Sequence, residues 1–324
     1  MFLAIGLLLL YLAFKGKDIN QMFRDIMNAR FGWIILSILF GLAAFISRAI
    51  RWKMLLEPLG YKPKVSNTFN SMMVGYLANF AIPRLGEVTR CTVLAQKEKI
   101  PFNVLFGTVI VERAVDLIML VLSLILASLL ELNPIGNFIF REIVYPIIEK
   151  VQSFYNPIII IIVIAGILII VAIVYSILRR SEKFSGIIPT FYKQLTGLTE
   201  GIKSVFKMKN TALFFVHTFF IWTMYFFMSY VCFFSLDETS VLGFKAGVFI
   251  LVIGGIGMAA PVQGGIGVYH LLVQQGLLMF GIDAQSGLTY ATIVHTSQTL
   301  MILLMGATSL GVLFMTKPVS DEKA

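Results

Sequence analysis

Three ionisable residues, Glu112, Arg113 and Asp116, lie close together inside the apolar run that opens at Leu105. Holding each such group in hydrocarbon costs about 2.5 to 3.5 kcal/mol on insertion scales, so they must face a cavity or one another. Glu112 and Asp116 are four apart and share a helix face, where like charges repel unless a cation or a proton intervenes. Arg113 reaches Asp116 at a spacing of three. Either carboxylate is a candidate to carry a coupling proton; a purely structural ion network that pins the hairpin to this helix is an equal reading.

A second set, Arg84, Glu87 and Arg90, follows the break Ala81-Ile82-Pro83-Arg84-Leu85-Gly86-Glu87. Residues after such a break begin a half-helix whose free N–H groups and positive dipole end attract anions, and guanidinium adds a bidentate grip on phosphate. Arg84 or Arg90 is placed to answer Glu112. Asn79 and Tyr76 line the same cavity or cap the arm before the break. A matching break, Ala260-Pro261-Val262-Gln263-Gly264-Gly265-Ile266-Gly267, offers Gln263 and exposed backbone N–H groups but no cation. It reads equally as a close-packed glycine seam. Of three scattered histidines, His295 stands out because it aligns with Glu112. Pro83, Gly86, Pro261, Gly264, Gly265 and Gly267 are the candidate hinges of a gate.

These residues need a membrane to make sense. The chain is 58% hydrophobic and 13% charged, with mean hydropathy +0.88, far more apolar than a soluble domain. Runs near the length needed to cross a bilayer cover 33–50, 105–130, 157–178, 213–236 and 288–315. Residues 1–14 are apolar but short, with no basic n-region or cleavage site, and are expected to form a first spanning helix. Cys91 and Cys232 match no metal or redox spacing and read as buried thiols. No metal or cofactor is expected.

The net charge of +9 is placed for a membrane, not for nucleic acid. Residues 179–209 hold seven Lys/Arg against two acids, whereas 131–155 hold two against three. The basic stretch is expected inside and the other outside. Lys97 to Lys99 and the C-terminus then fall in the cytoplasm, with the Asp237-Glu238 turn and the net +2 turn from Lys15 to Arg30 outside. Arg48, Arg51 and Lys53 would mark the inner end of the second helix, with Trp52 at the interface. Aromatic and aliphatic residues among the lysines of 182–209 suit a helix lying on the inner leaflet.

That count closes only if about 66–96 and about 241–280 enter the membrane and leave on the same side. Each has an apolar arm, a Gly/Pro break and a second arm, and reads as a re-entrant helical hairpin; a kink in a continuous helix is the alternative for the first. Such irregular backbone survives in a membrane only against protein or a wet cavity. Pro83 aligns with Pro261 and Glu112 with His295, the offset growing from 178 to 183. The expectation is one all-α polytopic membrane domain over 1–324, with about six transmembrane helices and two re-entrant hairpins in an inverted repeat. Residues 1–130 form the first repeat, 131–155 an outer connection, 156–316 the second repeat and 317–324 a polar tail. Paired broken segments of this kind point to a transporter's binding site.

Arg48-x-x-Arg51-Trp52, Gly75-Tyr76-x-x-Asn79 leading into Pro83-Arg84-x-Gly86-Glu87-x-x-Arg90, Glu112-Arg113-x-x-Asp116 and the 261–267 glycine run resemble the flippase-like transmembrane domain of lysylphosphatidylglycerol synthases. The resemblance covers roughly 32–311. It implies movement of lipids, such as aminoacylated phosphatidylglycerol, between leaflets, with Arg84, Glu87, Arg90, Glu112, Arg113 and Asp116 as the polar lining of the lipid path. The aminoacyl-transferase domain that follows in the synthases is not expected here, so lipid synthesis is not.

The expected function is a transporter of a phospholipid or other polar-headgroup lipid, anionic or zwitterionic, in a bacterial cytoplasmic membrane. A lipid-modifying enzyme is a candidate partner, and a scaffold for a synthase is a weaker reading. The alternative from another class is a membrane enzyme such as a polyprenyl-phosphate phosphatase, which needs a nucleophile and a base. From Gly75 to Asp116 there is neither serine nor histidine, leaving Thr89, Thr92, Thr108 and Cys91. That omission favours transport over catalysis.

Overall fold

The computed structural model describes residues 2–130, 208 and 210–316, and every regular element among them is helical. The first group comprises α1 (Phe2–Phe14), α2 (Ile19–Met27), α3 (Phe31–Leu56), α4 (Val65–Ala81), α5 (Gly86–Glu98) and α6 (Phe102–Leu130). The second comprises α7 (Thr211–Tyr230), α8 (Phe244–Ala259), α9 (Val268–Leu278) and α10 (Ala284–Met315). The expected connection 131–155, span 157–178, inner segment 182–209 apart from Met208, and tail 317–324 lie outside the described residues.

Among the described residues three helical segments, Phe31–Leu59, Thr211–Ser235 and Ala284–Met315, are long and apolar enough to cross a membrane. α6 is 29 residues long but carries Glu112, Arg113 and Asp116. α1, expected as a span, has 13 residues, about 20 Å of helix against roughly 30 Å of hydrocarbon. Between Lys15 and Arg30 only a turn is expected from the sequence. The structure places α2 there, with Asp18 capping it by accepting from the Gln21 N–H at 2.9 Å. Exposed Phe23 and Met27 and buried Met22 give it two faces.

Proline ends the short helices. Ile82 is extended at φ −137° and ψ 122°, because the ring of Pro83 clashes with a helical conformation one residue upstream. Ala260, before Pro261, leaves the helical region at φ −59° and ψ 145°. After each break the chain turns back. Glu98 at the end of α5 accepts from the Lys64 N–H at 2.9 Å and from Asn67 Nδ2 at 2.6 Å, so α4 and α5 are antiparallel. They touch through backbone: a Cβ on Gly86 would lie 2.3 Å from the carbonyl oxygen of Gly75. In the second hairpin Gly257 packs on Tyr269 and Gly276 on Phe249.

The two breaks meet. Gly264 has φ +57°, a conformation costly for residues with a Cβ, and a Cβ there would sit 2.4 Å from the ring of Phe80. Each hairpin also crosses a long helix of the other half. Leu77 of α4 meets Gly306 of α10, and Gly255 of α8 meets Leu120 of α6. α1 covers the second break, where a Cβ on Gly267 would lie 2.4 Å from the Gly6 carbonyl oxygen.

The turns before α3 and after α7 share one end of the bundle. There Arg30 pairs with Asp237, and its N–H donates to the Ser235 carbonyl at 2.9 Å. At the other end Lys97 Nζ donates to the carbonyl of Thr316. Among the described residues the largest apolar core joins the turn after α7 to α8 and α10 through Phe233, Phe249, Ile253 and Tyr290. Outward faces remain apolar, as at Leu117, Ile118, Val216 and Leu304, which lipid tolerates and water would not.

Candidate functional site

The acidic face of α6 is answered chiefly from α3. Arg48 Nη2 donates to both Glu112 Oε1 and Asp116 Oδ2, the latter at 2.7 Å, and Arg48 Nη1 donates to the Tyr225 hydroxyl at 3.1 Å. One guanidinium thus spans the two carboxylates that would otherwise repel. Arg51 donates to Asp116 Oδ1 at 2.7 Å and to Thr218 Oγ1 at 3.3 Å. Their spacing of three puts both arginines on one helix face, matching the spacing of four in α6. The sequence reading set these two at the inner end of the helix. The structure buries them and makes them the main partners of the acids.

From the first hairpin, Arg90 Nη1 donates to Glu112 Oε2 at 3.1 Å. Its guanidinium lies 4.9 Å above the Trp52 ring, an arrangement favoured by the ring's negative face. Trp52, expected at the interface, is fully buried and donates from Nε1 to Thr108 Oγ1 at 3.0 Å. The indole there supports a buried cation and shares its polar atom with a hydroxyl.

Arg113 is held more loosely. It lies 3.5 Å from Glu87, 3.8 Å from Glu112 and 3.9 Å from Asp116, with 41% of its side chain exposed. Among the described residues four guanidinium groups therefore meet three carboxylates, a surplus of one positive charge. Nε of Arg48, Arg51 and Arg90, and Nη2 of Arg90, are buried without a hydrogen-bond partner among the described residues. Such N–H groups are costly to leave unmet and are available to an anion.

Glu87, Arg90, Glu112, Arg113 and Asp116 thus come together as the sequence suggested, joined by Arg48 and Arg51. The other candidates sit elsewhere. Arg84 stands exposed at the tip of the first hairpin with φ +65° and makes no ion pair among the described residues. Asn79 accepts from the Gly86 N–H at 2.7 Å and so caps α5. Pro83 is half-buried in the first break, and exposed Pro261 opens the second. Gln263 Oε1 is buried and unpartnered. A ring nitrogen of His295, Nε2, is 2.7 Å from the Gly264 carbonyl, and its ring is 4.7 Å from that of His270. Gly265 packs on Met258.

The sequence signal for the missed pair was present: two cations three apart late in an apolar run, 64 and 65 residues before the acids they serve. Glu112 and Asp116 demand cations, and Arg48 and Arg51 are the pair that α3 brings against them.

Membrane-spanning helices, two broken helical pairs and a buried charge cluster define an integral membrane protein built around a polar site. The chain belongs to the family of the lysylphosphatidylglycerol synthase TM region, which it matches over residues 2–306. It is also similar to a UPF0104 membrane protein of Methanocaldococcus jannaschii, at 29% identity over 112 residues. That match covers 34% of this chain and spans 33% of the relative's length. No solved structure matches.

Proposed function

We propose that this protein moves a phospholipid or similar polar-headgroup lipid between leaflets, with the headgroup phosphate taken by the arginines around Glu112. The observation that carries this reading is the surplus guanidinium charge at membrane depth, where Arg113 is half-exposed and only loosely paired. A phosphate can take the place of its distant carboxylates and gain bidentate hydrogen bonds. Arg84, at the exposed hairpin tip, is a first contact for the headgroup, and Arg90 holds the inner wall. Membership of the lysylphosphatidylglycerol synthase TM family supports a lipid substrate.

The same reading takes the two helical hairpins as re-entrant and the two halves as an inverted repeat. Support comes from the paired crossings. With the alignment of Pro83 on Pro261, Leu77 corresponds to Gly255, and these residues make matching contacts with Gly306 and Leu120. A looser likeness is that Arg90–Glu112 in the first half and His270–His295 in the second each set the arm after a break against the long helix that follows it. Rocking of such halves about meeting hairpin tips would open the site to each leaflet in turn.

A lipid-phosphate enzyme is less well supported, since each candidate nucleophile is engaged. Thr89 and Thr92 donate to the carbonyls of Leu85 and Val88, and Thr108 donates to that of Leu105. Cys91 is fully buried.

The test is transfer of a headgroup-labelled phospholipid in vesicles containing purified protein. Arg113→Ala and Arg84→Ala are expected to slow transfer while leaving the thermal melt unchanged. Wild-type rates in both variants would overturn the headgroup assignment, and release of inorganic phosphate from a lipid phosphate would favour the enzyme.

A further inference from the structure

Next to the charge cluster, a groove of about 630 Å3 opens between α3 and α10, a volume within the usual range for a ligand site. Ile35, Ile38 and Leu42 form one wall and Thr296, Leu300 and Leu304 the other. The two helices run in the same direction, Gly41 meeting Met301 and both C-terminal ends lying near α5. Its hydroxyl groups are largely turned inward: Thr292 donates to the Leu288 carbonyl at 2.8 Å and Ser297 to that of Val294 at 3.0 Å. What remains on the surface is hydrocarbon.

Three observations fix the occupant. Both walls belong to helices long and apolar enough to span the membrane, so the groove faces acyl chains. Its lining runs from Phe31 to Leu42 and from Thr292 to Met305, about 16 to 20 Å of helix, which is roughly one leaflet of a hydrocarbon core about 30 Å thick. Its inner end packs against residues that border the polar site. Leu42, Met301 and Met305 pack in one cluster with Phe45, Tyr76 and Tyr225, and Tyr225 takes the hydrogen bond from Arg48.

We propose that this groove holds one acyl chain of the transported lipid while its headgroup occupies the arginine cluster. The proposal rests on the lipid-transport reading above. Burial alone gives the chain no preference, since lipid tails are as apolar as the groove. Selectivity comes from the tether: a headgroup held at the cluster keeps its own chain at high effective concentration beside the inner end. The groove then sets chain length, and one chain stays in hydrocarbon while the headgroup crosses.

The test uses vesicles of phosphatidylglycerol carrying a diazirine on one acyl chain, with peptides of the photolabelled protein mapped by mass spectrometry. Label is expected on α3 and α10 along the groove about tenfold above that on the outward face of α6 at Leu117, Ile118 and Leu122, a preference of about 1.4 kcal/mol. The double variant Ile35→Trp/Thr296→Trp, altered at outward-facing positions, is expected to lose that enrichment with an unchanged melt. It should also slow transfer of the two-chain lipid. Equal labelling of groove and α6 overturns the groove, whether or not the protein transports. Enriched labelling that vanishes in the double variant, in a protein that transfers no lipid, upholds chain binding in the groove and overturns the transport reading on which the fuller proposal stands.

Discussion

Arg90 on the first hairpin reaches Glu112 on α6 with a separation of 3.1 Å, tying the hairpin to the long helix that follows it. In the second half His270 and His295 stand between α9 and α10, with ring centroids 4.7 Å apart. The two pairs differ in chemistry. Arg90–Glu112 is a charged pair set in a network of further arginines, whereas the imidazole pair meets a backbone carbonyl at the glycine-rich break.

Arg48→Ala is expected to destabilise the protein by about 3 to 5 kcal/mol, because it leaves buried Glu112 and half-buried Asp116 without their bridging cation. Arg48→Lys should recover only part of the loss, since an ammonium cannot copy one planar fork serving Glu112, Asp116 and Tyr225. Thermal melts in detergent distinguish the three proteins; a melt of Arg48→Ala equal to wild type would refute the account.

At Gly86 a Cβ would meet the Gly75 carbonyl oxygen at 2.3 Å. Gly86→Ala therefore forces α4 and α5 apart, at a cost of about 1 to 3 kcal/mol. Gly32→Ala is the control: its Cβ meets nothing within 4 Å, and alanine is a better helix former by about 1 kcal/mol. Opposite shifts in melting temperature are expected.

His295→Leu leaves the Gly264 carbonyl without its imidazole partner at 2.7 Å, a loss of about 1 to 3 kcal/mol if the group stays buried. The effect should be local. Hydrogen exchange of 260–268 is expected to quicken while that of α3 and α6 holds steady, and an unchanged rate across the break would count against the tie.

Asp283 caps α10 by accepting from the Gln285 N–H at 2.8 Å and the Ser286 N–H at 3.1 Å. Partial burial pushes its carboxyl up, but the hydrogen bonds from Ser286 and Gln285 prevail and hold it below the ordinary aspartate value. Because the folded value is the lower one, the cap's contribution is full above about pH 4 and fades as pH falls through the folded value. Asp283→Ala should cost about 1 kcal/mol at pH 7. The gap between the two melts should narrow towards pH 3, and a gap that stayed constant would show that the charge plays no part.

What was legible in the sequence was local. Run lengths marked the long helices, and Pro83 and Pro261 marked the ends of α4 and α8, because the proline ring acts on its immediate neighbour. The need of Glu112 and Asp116 for cations was also legible, since burying a charge is costly wherever the chain puts it. Even α2 was a local matter, an amphipathic helix after Asp18 that a charge count treated as a turn.

Which cations answer those acids was decided only by the tertiary structure. Arg48 and Arg51 pair with residues about 65 positions away because α3 lies against α6, and no periodicity within either helix specifies that neighbour. The same holds for Arg84, which the sequence grouped with Arg90. Two residues six apart share a charge and a segment, yet the left-handed turn at Arg84 leaves one at the exposed tip while α5 carries the other inward. Local sequence sets what each segment can become and what it must satisfy; the packing of distant segments selects the partner that satisfies it.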